Sequence, residues 1–147
     1  MKALLLVLFT SFSLVTPTWQ FNFDRAKTEA RQSHKLILLN FSGSDWCGPC
    51  IKLKKDVFES DAFGAYAADH LILVRADFPR QSKKQLDKQQ TAHNEALAET
   101  YNRQGKFPFT VLLDAEGHVL KEWDGYPKSL TVSSFVSALQ SATPAAK

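Results

Sequence analysis

Apolar and polar positions along the chain predict four strands. Two continuous apolar runs with polar flanks, residues 35–41 and 71–76, are typical of strands buried on both faces of a sheet. Two further runs, 109–114 and 118–123, flank Ala-Glu-Gly, which indicates a hairpin in which Gly117 takes a positive φ. The chain therefore supplies two buried strands and a hairpin.

Helical patterns occupy the segments between these strands. Asp24 can cap a short helix that ends near Ser33, and Ser60 or Asp61 can cap a second helical piece. Helical character extends over three more segments: 48–55, 81–103 and 130–142. This order predicts an α/β domain in which a central mixed β-sheet carries helices on both faces.

The first residues follow a different pattern. One lysine precedes an apolar run over residues 3–15, and small and turn-forming residues follow it. This is the layout of a secretory signal, and the run is short for a membrane span. No Ala-x-Ala triplet marks a cleavage site, so a cleaved signal and a retained anchor are both open. We expect residues 1–18 to form the signal peptide and residues 19–147 to form a single domain.

Composition and charge narrow the function. A chain of 147 residues, of which 44% are hydrophobic, suits one core. The formal net charge is +3, and the basic residues are scattered among acids, which argues against nucleic-acid binding. Lys83, Lys84 and Lys88 are most simply a solvated face, although they can steer an acidic partner. We expect His93, nearby, to be a boundary or core residue rather than a catalyst.

The chain has two cysteines, Cys47 and Cys50, and both lie in the stretch SDWCGPC. A disulfide between them closes so short a loop that it stabilises the folded chain little. Two cysteines are too few for most closed zinc sites, and the four histidines are widely separated. A redox role is therefore favoured, with a structural link or a metal site as the alternatives.

The position of the pair suits dithiol chemistry. Cys47 follows a buried strand and begins a helix, where unpaired amide groups and the helix dipole stabilise a thiolate. Cys50, one turn later and in a less exposed position, can resolve the mixed disulfide. Pro49 is tolerated in the first helical turn because its missing amide hydrogen costs little there. We therefore expect Cys47 to be the nucleophile and Cys50 the resolving thiol.

The stretch WCGPC between a buried strand and a helix, in the order βαββα, resembles the thioredoxin family over about residues 24–139. The resemblance implies a thioredoxin-like fold and a thiol:disulfide oxidoreductase that uses no metal, flavin or nucleotide. It also implies that Pro108 is a cis-proline facing the active-site sulfurs and that Gly125 lines the substrate groove. The remaining substrate-binding residues are expected to be Trp46, Gly48, Pro49 and Phe107. The sequence leaves two roles open for Trp46, which are a platform that contacts the substrate and a residue that only packs the site.

A finer resemblance rests on the SDWC loop, the segment VFESDAF and the long helix after the second strand. These features are similar to exported bacterial thioredoxin-like proteins and to the soluble C-terminal domain of transmembrane thiol:disulfide interchange proteins. The similarity implies a reductase of the bacterial cell envelope or periplasm. Its partners would be disulfide-containing envelope proteins and a membrane-embedded thiol electron donor. The alternatives are a disulfide oxidase or isomerase, and a binding module with an incidental cysteine pair.

Two positions depart from the family pattern. This sequence has Asn40 at the position where the family keeps a buried acid beneath the second cysteine. The position of the lysine that is often paired with that acid aligns with Leu73. The base that deprotonates Cys50 is therefore open between water and Asp45.

Overall fold

The computed structural model describes residues 18–143. Residues 1–17, which are the predicted signal except for its last residue, lie outside this range, and so do residues 144–147 at the C-terminus. No helix within it has the length and apolar character needed to cross a bilayer. The elements are, in order, β1 (Trp19–Gln20), α1 (Phe23–Ser33), β2 (Leu36–Ser42), α2 (Gly48–Leu53) with a π-helical continuation (Lys54–Phe58), α3 (Asp61–His70), β3 (Leu71–Asp77), a 3₁₀ turn (Ser82–Lys84), α4 (Lys88–Tyr101), β4 (Phe109–Leu113), β5 (Val119–Asp124) and α5 (Val132–Ala142).

The five strands form one mixed sheet in the order β1-β3-β2-β4-β5. Strand β2 is central: it runs parallel to β3 and antiparallel to β4, and β4 and β5 form the predicted hairpin. Gly117 in the hairpin turn has a φ of 96°, as predicted. The two-residue strand β1 was not predicted, because two residues are too few to show an alternating pattern.

Helices cover both faces of the sheet, which confirms the predicted fold class. Because side chains of a strand alternate between its faces, β2 contributes to two separate cores. Ile37, Leu39 and Phe41 pack with residues of α1 and α4. Leu38, on the other face, packs with residues of α2, α3 and α5. Asn40 is two residues after Leu38 on the same strand, so its side chain lies on the same face of the sheet, which is the face that α2 covers.

Two predicted helix starts need correction. Asp24 is not the cap of α1, because the helix begins at Phe23 and the side chain of Asn22 accepts the N–H of Arg25 at 2.9 Å. The earlier start brings Phe23 into the core. The helical segment predicted over 81–103 becomes a 3₁₀ turn followed by α4, which begins at Lys88 after the capping residue Asp87.

Two other predictions hold. Ser60 caps α3, since its hydroxyl accepts the N–H of Phe63 at 3.3 Å. His93 is a boundary residue, because its Nε2 accepts the N–H of Phe23 at 3.1 Å and thereby joins α4 to α1.

Phe135 of α5 provides a test of the core on the α2 face. Its ring is 1% exposed and contacts Phe58, Phe63 and Trp123. We predict that Phe135→Ala lowers the free energy of unfolding by about 3–5 kcal/mol, since it removes a buried ring and leaves a cavity. Chemical denaturation measures this loss. The matched control is Phe21→Ala, which removes a 51% exposed ring and should change stability by less than about 0.5 kcal/mol. Equal losses in the two variants would contradict the packing of α5.

Candidate active site

Cys47 and Cys50 are joined by a disulfide at the start of α2, with a Cα–Cα distance of 5.2 Å. Cys47 is the N-cap of this helix, and its Sγ accepts the N–H of Cys50 at 3.3 Å. After reduction, the same position offers a thiolate on Cys47 a backbone donor and the positive end of the helix dipole. Gly48 and Pro49, between the cysteines, are exposed. The arrangement is suited to reversible exchange of disulfides.

The two cysteines are equally buried in the disulfide form. Cys47 is 5% and Cys50 4% exposed, so the expected difference in exposure is absent in this state. In this state the Cys47 Sγ lies against the first helical turn, where it accepts the N–H of Cys50 and is bonded to the Cys50 sulfur. Exposure therefore does not distinguish the cysteines here, whereas their positions in the helix do.

The loop between β2 and α2 is fastened to the chain that follows β3. The backbone N–H and the hydroxyl of Ser44 donate to the carboxylate of Asp77 at 2.9 and 2.6 Å. The carboxylate of Asp45 accepts the backbone N–H groups of Arg80 and Gln81, at 3.0 and 2.8 Å. These bonds hold the residues before Cys47 against residues 77–81, a wall of the site that the sequence analysis missed.

These hydrogen bonds decide whether Asp45 can serve as a base. The backbone N–H of Arg80, with a further contribution from that of Gln81, lowers the pKa of the Asp45 carboxyl below its ordinary value. A carboxylate with a lowered pKa is a weaker proton acceptor, and this one is already occupied by backbone donors. The hydrogen bonds that Asp45 already accepts therefore argue against it as the acceptor of the Cys50 proton.

Trp46 packs into the same wall. Its indole N–H donates to the carbonyl of Phe78 at 2.7 Å, and the Arg80 guanidinium lies 3.6 Å from the ring centroid. The indole also covers Gly43, where a Cβ atom would collide with the ring. These contacts support the packing role of Trp46, and Gly43 is glycine because the indole needs its space.

The segment around Pro108 meets the active-site loop through Phe107. The Phe107 ring makes edge contacts with Trp46 and Phe78, each at 5.4 Å between centroids. The Phe107–Pro108 peptide bond is cis, and the Pro108 carbonyl accepts the N–H of Gly125 at 2.9 Å. Gly125 has a φ of 71°, a left-handed conformation that favours glycine. The structure thus links the predicted groove residues to one another, while their contact with substrate stays a prediction.

Asn40 lies in the sheet on the face that α2 covers. It is buried, and its side-chain amide donates to the hydroxyl of Thr110 at 3.0 Å. The expectation for Leu73 is wrong: the parallel register places Leu73 beside Leu38, and Arg75 beside Asn40. A basic residue is therefore present next to the position where the family keeps an acid.

The Arg75 side chain contacts an aromatic ring, whereas position 40 carries no acid with which it could pair. Its guanidinium lies 4.4 Å from the centroid of Trp19, and the Arg75 Nε is buried with no hydrogen-bond partner among residues 18–143. Burial lowers the pKa of Arg75, and the charges of Asp77 and Glu59 oppose that shift. An arginine nevertheless stays protonated in proteins, so the half-buried Arg75 carries its charge toward β1, on the side of β3 away from Asn40.

Comparisons with known proteins agree with this site. The family model described as thioredoxin-like matches residues 18–115. The disulfide bond reductase DsbH of Chlamydia pneumoniae is 36% identical over 124 residues, which cover 84% of this chain and 71% of that protein. A solved structure of a DsbH oxidoreductase matches with a TM-score of 0.80 and 30% identity, over 96% of this chain and 94% of that one. The oxidised C-terminal domain of Neisseria meningitidis DsbD, at 15% identity, a TM-score of 0.55 and coverage of 81% and 90%, shares the fold.

Asp45 gives a pH-dependent prediction. Because its pKa is lowered in the folded state, it contributes stability above the unfolded pKa of about 3.9, and this contribution is lost as the pH falls through the folded pKa. Asp45→Asn should therefore be less stable than wild type at neutral pH, with a difference that shrinks on acidification. Denaturation midpoints from pH 7 to pH 2 measure it. Asp69→Asn, at an exposed helical position, is the control; a pH-independent difference for Asp45→Asn would refute the argument.

Asn40 gives a prediction of the opposite sign. Asn40→Asp places a carboxyl in a buried site, and the Arg75 guanidinium is directed to Trp19 on the far side of β3, so desolvation raises the folded pKa of the carboxyl above the unfolded value of about 3.9. The variant should lose stability relative to wild type as the pH rises from the unfolded pKa, by about 1.4 kcal/mol per unit of pKa difference, until the folded pKa is passed. Titration of the denaturation midpoint measures the loss.

The control for Asn40→Asp is Asn22→Asp. Asn22 is an exposed N-cap, a position where aspartate is as favourable as asparagine. Its profile should follow wild type or lie above it at neutral pH. Parallel profiles for Asn40→Asp and wild type would mean that the site beneath α2 is not desolvated.

Proposed function

Because the chain belongs to the thioredoxin-like family and carries its cysteine pair at the start of α2, we propose that it is an exported thiol:disulfide oxidoreductase that chiefly reduces protein disulfides. The DsbH relatives and the cysteine pair make it a thioredoxin-fold disulfide oxidoreductase. The reducing direction and export are the proposed part. The observation that carries the proposal is the Cys47 sulfur at the helix N-cap, where a thiolate is stabilised.

The proposed reaction transfers two electrons from the dithiol to the substrate. The Cys47 thiolate attacks one sulfur of the substrate disulfide, a mixed disulfide forms, and the other substrate sulfur leaves as a thiolate that takes up a proton. Cys50 loses its proton to water and attacks the Cys47 sulfur. The Cys47–Cys50 disulfide forms and the second substrate thiolate leaves. The structure describes this oxidised product state.

The groove for the substrate chain is proposed to run beside the dithiol. Gly48 and Pro49 are exposed between the cysteines, and Phe107 reaches the active-site loop through Trp46. Pro108 and Gly125, joined by a backbone hydrogen bond, would line the groove next to them. These six residues form the surface that would position a substrate disulfide against Cys47.

Export and the electron source complete the proposal. Residues 1–18 have the pattern of a signal peptide, which would deliver the domain to the bacterial cell envelope, including the periplasm. An exported dithiol is oxidised by its surroundings unless a donor restores it. We therefore propose a membrane-embedded thiol protein as electron donor and disulfide-containing envelope proteins as substrates.

The experiment combines trapping with a measured potential. Cys50→Ser should hold envelope proteins as mixed disulfides through Cys47, because the resolving attack is lost, whereas the control Cys47→Ser should hold none. In the reduced wild-type protein, Cys47 should be alkylated faster than Cys50 near neutral pH. The protein should reduce insulin disulfides and have a potential nearer about −270 mV than about −120 mV.

The outcomes distinguish the alternatives. A potential close to about −120 mV would assign the protein as an oxidase or isomerase. A reactive Cys47 that traps no envelope protein in the Cys50→Ser variant would favour a binding module with an incidental pair. Fractionation that finds the protein in the cytoplasm would overturn export.

A further inference from the structure

We propose that residues 80–84, the sequence RQSKK, form a basic arm that docks substrates carrying acidic residues beside the disulfide to be reduced. The inference deepens the proposed function and rests on it. It arises from three properties of this segment: its attachment to the dithiol loop, its unpaired charges and the apolar surface next to it. None of these follows from the cysteine pair itself.

The arm is attached directly to the loop that carries the nucleophile. Asp45, two residues before Cys47, accepts the backbone N–H groups of Arg80 and Gln81. The Arg80 guanidinium lies on the ring of Trp46, the residue that precedes Cys47. The start of the arm therefore has a defined place beside Cys47.

The lysines of the arm are ordered by a turn of their own. Ser82–Lys84 form a 3₁₀ turn in which the N–H of Lys84 donates to the carbonyl of Gln81 at 2.9 Å. This turn follows Gln81, which Asp45 holds, so Lys83 and Lys84 project from a short fixed segment and not from a long loop. Charges that are held near the dithiol can act on a substrate as it approaches.

The charges of the arm are available to a partner. Arg80, Lys83 and Lys84 are exposed, and none of them takes part in an ion pair within 4.0 Å among residues 18–143. The carboxylates around the arm keep their charge and bind neutral donors, and the charge of Lys84 acts on Asp45 from beyond 4.0 Å, where it helps to lower the pKa of that carboxyl. Asp45 accepts from the arm's backbone, Asp77 accepts from Ser44, and Asp87 caps α4.

Aromatic rings lie between the arm and Pro108. Phe107 contacts both Trp46 and Phe78, so aromatic rings line this side of the site. On the helix side, Lys52 is paired with Asp56. The arm therefore adds cationic side chains to this edge of the site, and these would select acidic sequences by their rate of encounter.

The experiment compares matched substrates. Two synthetic peptides share one intramolecular disulfide and differ only in flanking glutamates or flanking lysines, and hydroxyethyl disulfide is the uncharged reference. Oxidation of the reduced protein gives a second-order rate constant for each. We expect the glutamate peptide to react about 3–10-fold faster than the lysine peptide at low ionic strength. The ratio should fall toward 1 in about 0.5 M salt, because screening shortens the range of the charges.

Two double variants locate the effect. Lys83→Gln with Lys84→Gln should reduce the glutamate-to-lysine ratio by at least about twofold. The control, Arg31→Gln with Lys121→Gln, removes the same charge from the opposite end of the sheet, where Arg31 contacts the Ala115 carbonyl and Lys121 lies opposite Leu112. The control should keep the wild-type ratio.

Each result bears on the proposal. Equal rates for the two peptides, with the reference reduced normally, would overturn the basic arm and leave the oxidoreductase standing. Equal decreases in both double variants would assign the effect to net charge and also overturn it. If the reference is not reduced, the proposed function fails and the docking inference fails with it.

Discussion

The site depends on one constraint: the loop between β2 and α2 must leave the sheet and begin a helix with a cysteine at its cap. The carboxylates of Asp45 and Asp77 meet this constraint by binding backbone donors across the loop. Trp46 closes the same junction by packing over Gly43 and bonding Phe78. Without these contacts, the helix that carries Cys47 at its cap would have no fixed relation to residues 77–81 or to Phe107.

A second constraint lies beneath the helix. The pair that the family forms from an acid and a lysine is here a neutral amide beside an arginine, Asn40 beside Arg75. Asn40 satisfies its amide through Thr110 on β4, and Arg75 turns its guanidinium to Trp19 on β1. The two groups are thus bound to opposite neighbours in the sheet. The sheet avoids a buried carboxylate, and the proton of Cys50 has no acidic side chain at position 40 to receive it.

The sequence was sufficient for features that depend on local pattern, and insufficient for those that depend on the meeting of distant segments. The buried strands, the hairpin at Gly117 and the cysteines at a helix start follow from periodicity and turn chemistry. The register that pairs Asn40 with Arg75, and the bonds from Asp45 to Arg80 and Gln81, join residues more than thirty positions apart. The wall, residues 77–81, joins the end of β3 to a stretch too short to show a periodic pattern, so nothing in the sequence marked it as part of the site.

In the segment that follows β3, the groups that hold the active-site loop differ from the lysine side chains that would select substrates. Asp45 binds the backbone N–H groups of Arg80 and Gln81, which almost any residue could supply at those positions. The side chains of Lys83 and Lys84 are exposed to solvent and form no hydrogen bond or ion pair with the loop among the residues that the structure describes. The charges of Lys83 and Lys84 can therefore change without displacing Cys47, since the donors that the Asp45 carboxylate binds in this segment are backbone N–H groups. A dithiol with fixed geometry can in this way acquire different substrate preferences through its rim alone.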